Sequence, residues 1–126
     1  MTIKEYENLA MRTNDGKCTN RVGGKASAWI LGDEKEADPG ELLNGALGLT
    51  GEAGEVADSI KKFIFHGHDM DRDGLIKELG DVCWYLALLC HAIDVPLEEV
   101  MTRNIEKLKK RYPEGFSESA SINRKE

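Results

Sequence analysis

The sequence lacks the marks of several large functional classes. It has no GxxxxGK[ST] segment, so the glycine-rich loop that wraps nucleotide phosphates in P-loop enzymes is excluded. It has no CxxC and no paired Cys/His spacing, which argues against a zinc site. Only three cysteines occur. Cys83 and Cys90 stand roughly 10 Å apart along an expected helix, too far for a bond, and read as reduced core residues of a cytoplasmic protein. No apolar run approaches the ~18–20 residues that span a bilayer, and Met1-Thr2-Ile3-Lys4-Glu5 lacks a signal peptide's apolar core. Positive charge is scarce: 17 Lys and Arg against 23 Asp and Glu give a net charge of −6. That balance argues against a nucleic-acid partner, and no membrane partner is expected. No Ser-His or Cys-His pair suggests covalent catalysis, so any hydrolysis here would use a metal and water.

What is present is helical pattern. The 126 residues suit one domain with one core. A short helix is expected from Ile3 to about Thr13, with Tyr6, Leu9 and Ala10 along one side. Residues 14–38 are polar and Gly-rich and read as one long loop, either a lid or an insertion. Within it Ala26 to Leu31 is expected to form a helical turn carrying Trp29, a ring that either stacks on a base or plugs a core. Asp38-Pro39-Gly40-Glu41 is a helix start, with Asp38 as cap, Pro39 in the first position and Glu41 as the acid of a capping box. That helix should run to about Phe65. The next begins at Asp71 or Asp73 and reaches about Ile93. Its stripe is Leu75, Leu79, Val82, Cys83, Leu86, Leu89, Cys90 and Ile93, and Trp84, Ala87 and Leu88 make the opposite face apolar too. A helix apolar all round is buried all round, which in so short a chain places Trp84 and Leu88 against a second subunit. A last helix runs from Pro96 to Tyr112-Pro113. The tail, residues 114–126, reads as extended or partly disordered.

Two acidic pairs carry the chemical signal. Glu52 and Glu55, and then Glu78 and Asp81, are each spaced i, i+3, which puts both members on one helix face. If the two helices pack antiparallel, four carboxylates converge. Clustered carboxylate oxygens repel one another and suit a hard cation, Mg²⁺ or Mn²⁺. Four glycines, Gly45, Gly48, Gly51 and Gly54, interrupt the first of these helices, at about 1 kcal/mol each relative to Ala. Gly48 lies under Glu52 and Gly51 under Glu55, so either they leave room for a metal and a phosphate, or a neighbouring helix packs close.

A second set is cationic. Asn104, Lys107 and Arg111 are spaced i, i+3, i+7 on one face of the last helix. An amide, an ammonium and a guanidinium suit phosphate oxygens. Lys62, on the face of Glu55, is a weaker phosphate candidate. Tyr85, one turn after Asp81, is placed to bound the site.

Three segments resemble the MazG-like nucleotide pyrophosphohydrolases, a branch of the all-α NTP pyrophosphatases. They are Gly48-Leu49-Thr50-Gly51-Glu52-Ala53-Gly54-Glu55-Val56-Ala57-Asp58, Glu78-Leu79-Gly80-Asp81-Val82-Cys83-Trp84-Tyr85-Leu86, and the run from Asn104 to Phe116. The resemblance covers about Leu42 to Phe116. It implies an all-α, four-helix-bundle-like domain of antiparallel helices over residues 1–126. It also implies hydrolysis of a nucleoside triphosphate between the α and β phosphates, giving a monophosphate and pyrophosphate. By the same resemblance Glu52, Glu55, Glu78 and Asp81 are Mg²⁺ ligands, with Glu52 and Glu55 at the reacting centre; the chemistry of metal-assisted hydrolysis, not the resemblance, makes Glu55 the candidate proton acceptor. Asn104, Lys107 and Arg111 hold phosphates, Tyr85 lies beside the nucleotide, and the chain is a homodimer or a dimer-of-dimers tetramer. Two rival readings are a phosphoribosyl-ATP pyrophosphohydrolase-like enzyme and a non-catalytic, dimeric helical interaction protein.

Overall fold

The computed structural model describes residues 1–23 and 38–124. The turn expected at Ala26 to Leu31, with Trp29, lies outside these. The described residues form six helices and no strand: α1 (Ile3–Met11), α2 (Cys18–Val22), α3 (Pro39–Phe65), α4 (Arg72–Ala92), α5 (Leu97–Arg111) and α6 (Glu118–Ile122). The four longer ones are the four read from periodicity. The two short ones correct the reading of residues 14–23 as loop and of the tail as extended or partly disordered. Five residues are too few to display a period, and such helices depend on what surrounds them. Ser117 caps α6 by accepting from Ala120 N at 3.1 Å, and α2 is held by its packing on α3.

The helix starts follow from local chemistry. Thr2 and Glu5 form a reciprocal capping box on α1. Asp71, not Asp73, caps α4, accepting from Gly74 N at 2.8 Å. Asp38 caps α3 by accepting from Glu41 N at 2.9 Å. The rest of the expected capping box is absent, because the Glu41 side chain is used elsewhere. Glu41 is only 2% exposed. Its carboxylate accepts from Asn14 Nδ2 at 2.6 Å and pairs with His91 Nδ1 at 2.7 Å. One buried carboxylate thus joins the segment after α1, the start of α3 and the end of α4. Asp38 N also donates to Ala92 O at 2.7 Å, closing the same corner.

α3 and α4 form an antiparallel hairpin. The register shows in three successive contacts, each moving up one helix and down the other: Gly45 meets Leu89, Gly48 meets Tyr85, and Glu52 meets Asp81 and Glu78. At Gly45 and Gly48 the close-packing explanation holds. An added Cβ would fall 2.7 Å from Leu89 and 2.1 Å from the Tyr85 ring. α1 crosses the other side of α4, where the Trp84 indole donates to Ala10 O at 3.1 Å and to Thr13 Oγ1 at 2.8 Å. α5 departs from α4 at 100°. It packs on α1 and the end of α4, with Leu97 N donating to Glu7 Oε1 at 2.7 Å, so it does not join an antiparallel set.

This arrangement corrects the expected subunit contact. Leu88 is 0% exposed within its own chain and Ala87 is equally buried, while Trp84 is engaged by α1. α4 is apolar on two sides because α3 covers one and α1 the other. Members of the expected core stripe face outward instead: Leu79 is 48% exposed, and Leu86, Ile93 and Cys83 are exposed with it. Periodicity identifies an apolar face without identifying its neighbour. The helix α5 also leaves Val100, Met101, Ile105 and Leu108 exposed. Among the described residues no single helix is long and apolar enough to cross a membrane.

α2 sits on a glycine. A Cβ at Gly40 would lie 2.1 Å from the Cys18 and Thr19 backbone, which cannot yield as a flexible side chain can. Thr19 Oγ1 accepts from Gly40 N at 3.1 Å and donates to Asp38. Gly51, by contrast, has nothing within 4 Å of an added Cβ. Gly40→Ala is therefore expected to lower unfolding free energy by about 1–3 kcal/mol, and Gly51→Ala to raise it by up to about 1 kcal/mol. Urea titrations of the two variants check the contrast.

Candidate metal centre

The antiparallel register of α3 and α4 decides which acids meet. Glu52 sits one turn beyond Gly48, and Asp81 one turn before Tyr85. With Gly48 and Tyr85 in contact, the next turn along the hairpin faces Glu52 towards Asp81 and Glu78. One carboxylate oxygen from each of Glu52, Glu78 and Asp81 lies within 4.8 Å of the others. Glu52 and Glu78 are half-buried and Asp81 is exposed.

Glu52 feels the other two. Loss of solvent, then the charges of Asp81 and Glu78, raise the Glu52 carboxyl above its ordinary 4.5. Glu55 adds to the same shift, but it is exposed and stands outside the close trio. Of the four expected metal ligands, then, three are brought together and Glu55 flanks them. Three carboxylate oxygens at this spacing form a hard, anionic donor set open to solvent on one side, which fits a small divalent cation.

The other expected site residues lie around this centre or away from it. Lys62 is engaged by Asp58 at 2.6 Å. With Lys61, it pulls the Asp58 carboxyl down to about 2, so its charge is already in use. Tyr85 is half-buried, one turn from Asp81, with its ring laid against Gly48. Asn104, Lys107 and Arg111 lie on α5, the first two exposed and the third half-buried. Arg111 Nε is buried without a hydrogen-bond partner. Because α5 turns away from α4 at 100° and packs mainly on α1 and α4, its cationic face belongs to a different part of the chain from the acidic trio.

Gly48 does not open space for a ligand, contrary to one of the two expectations for it. It makes room for Tyr85. Open space is found instead beside Gly51, Gly54 and Gly80, where nothing lies within 4 Å of an added Cβ. The contact missed from sequence is the one that sets Tyr85, against both Gly48 and Trp84. Its trace in the sequence is a glycine four residues before one acid and a tyrosine four residues after another.

A family model described as the MazG nucleotide pyrophosphohydrolase domain matches residues 42–116. The curated relatives include the Gene 37 protein of Mycobacterium phage L5, 42% identical over 85 residues, which are 62% of this chain and 72% of that protein. No solved structure matches.

The trio's repulsion has a measurable sign. A carboxyl raised in the folded state favours folding below its unfolded pKa, and that contribution is lost as pH rises through the folded value. Without divalent cations, Glu52→Gln is therefore expected to raise the melting temperature at pH 7. With millimolar Mg²⁺ or Mn²⁺ the order should reverse, since a ligand that binds only the folded state stabilises it and the variant has lost a donor. Glu78→Gln and Asp81→Asn should likewise lose most of the cation-induced shift, and Glu55→Gln should keep most of it. Thermal melts with and without cation check all four.

Proposed function

The chain belongs to the MazG nucleotide pyrophosphohydrolase family, and from that premise we propose that it hydrolyses a nucleoside triphosphate between the α and β phosphates in a Mg²⁺-dependent reaction. The products are a nucleoside monophosphate and pyrophosphate. The observation that carries the proposal is the convergence of Glu52, Glu78 and Asp81 within 4.8 Å on two helices held in register.

These three carboxylates would hold the cation. Bound Mg²⁺ supplies charge neutralisation for the phosphate oxygens and lowers the pKa of water at the site. Glu55 flanks the trio without belonging to it, which leaves its oxygens free to orient a water and accept its proton. Tyr85 forms a wall one turn away. Asn104, Lys107 and Arg111 are the donors proposed for the phosphates, with Arg111 bringing the fork geometry that suits them.

The substrate-holding edge and the acidic trio are on differently directed helices of one chain. A second copy of the chain accounts for this and for the uncovered apolar surface. Ile76, Leu79, Cys83 and Leu86 form an exposed seam on α4, and Val100, Met101, Ile105 and Leu108 form another on α5. Seams of this kind are buried in stable assemblies. The proposed partner is therefore a homodimer mate, or two pairs in a tetramer.

Two measurements test this reading. Product analysis with the common nucleoside triphosphates should give pyrophosphate and monophosphate only when Mg²⁺ or Mn²⁺ is present, and orthophosphate with a diphosphate as first products would refute it. Arg111→Ala should raise KM and lower kcat together, since charge grows on the leaving pyrophosphate. For the assembly, sedimentation should show no monomer at micromolar concentration, and Leu79→Glu should release one.

A further inference from the structure

Resting on the pyrophosphohydrolase reading, we propose that Trp84 is a positioning residue for the nucleotide, acting through Tyr85. Neighbouring residues on a helix do not face each other. Here, however, the Trp84 and Tyr85 rings meet edge to face, with centroids 5.0 Å apart and planes at 85°. Such a pair is favourable because the positive edge of one ring meets the negative face of the other.

The indole cannot easily leave this position. Its Nε1–H is shared between Ala10 O at 3.1 Å and Thr13 Oγ1 at 2.8 Å, both just beyond or at the end of α1. Thr13 is itself set by its hydroxyl, which donates to Ala10 O at 2.8 Å. Tyr85 is also bounded by the Gly48 backbone, so close that a methyl group there would stand 2.1 Å from the ring. Tyr85 is therefore held by both an indole pinned to α1 and a notch in α3. Gly48 is one turn from Glu52, and Tyr85 is one turn from Asp81, so the clamped ring forms the wall next to the acidic trio on both helices at once. Trp84 is the part of this clamp that carries a hydrogen-bonded link to a third helix. It sets where the wall stands without touching the reacting atoms.

The test uses the full chain with Trp84→Leu, Trp84→Phe, Tyr85→Ala and the double variant Trp84→Leu/Tyr85→Ala. With a nucleoside triphosphate as substrate, Trp84→Leu should raise KM about 5- to 20-fold, the size of a lost aromatic contact to a base, with kcat within about twofold. The inhibition constant of inorganic tripolyphosphate, which has the phosphates but no nucleoside, should stay unchanged. Trp84→Phe keeps a ring but loses the N–H, and should recover part of the KM effect. The double variant should be no worse than Tyr85→Ala alone. A role confined to stability would lower the melting temperature and leave KM where it was, which would overturn the proposal, as would effects that add in the double variant. A second readout needs no turnover. Nuclear Overhauser contacts between the Tyr85 ring and the Gly48 α-protons should be strong in the parent protein and weakened in Trp84→Leu. Their persistence at parent strength would overturn the proposal by itself. Should Trp84→Leu fail to fold, Trp84→Phe carries both readouts. A parent protein that makes no pyrophosphate from any nucleoside triphosphate would sink the proposed function instead, and the Overhauser contacts would still decide the Trp84–Tyr85 coupling.

Discussion

Everything in this chain depends on the register of the α3–α4 hairpin. Two long helices can slide past each other unless something fixes their offset. Here glycines set it. Gly45 receives Leu89 and Gly48 receives Tyr85, each at a distance no other residue would permit without a shift. Once those two notches are filled, the next turn has only one arrangement, and it brings Glu52 to Glu78 and Asp81. A slip of one turn would separate the acids and put the wrong side chain against each notch. The packing interactions that stabilise the hairpin are thus also the ones that assemble the site, and the helical penalty of the glycines is offset by the close approach they permit.

The acidic trio opposes that packing. Like charges gathered at partly desolvated positions disfavour the charged form, and the upward shift at the half-buried Glu52 reports it. Selection for stability alone would not place three carboxylates there. The arrangement is reasonable when a cation neutralises them, and the donor set is of the kind that hard divalent ions prefer. A carboxylate of another kind stands at the opposite end of the hairpin. There Glu41, a carboxylate almost fully removed from solvent, is satisfied by Asn14 and His91 and ties three segments together. One acid is buried and paired to close the fold, while three others stay partly open and unpaired with any cation of the described residues.

The single chain is covered unevenly. α4 is enclosed by α3 and α1 around Ala87 and Leu88, whereas its outer seam and the apolar stripe of α5 face solvent. The cations of α5 are mostly unspent: among the described residues Arg103 alone of that helix pairs, with Glu99. An apolar stripe beside an unpaired basic face, on a helix directed away from its own acidic centre, is the surface that the proposed second copy would cover.

Much of this was legible in the sequence, for identifiable reasons. Long helices declare themselves by period and by caps, so α3 and α5 were located almost to the residue, with Asp38-Pro39 and Tyr112-Pro113 as their boundaries. The i, i+3 spacing of the acids is likewise a local property, and it survives folding unchanged. Short helices such as α2 and α6 have no period to display and exist because of docking or a single cap. Which neighbour covers an apolar face is not local either. Leu88 was expected at a subunit contact and is in the core, while Leu79 was expected in the core and is exposed. The same holds for Gly48, whose absent side chain has two local explanations and only one when Tyr85 is across from it. The sequence by itself determined where the long helices lie and which residue types each of their faces presents. The tertiary structure alone decided which faces meet, because that depends on the offset and crossing angle of helices far apart along the chain, and these are set by side-chain fit between them.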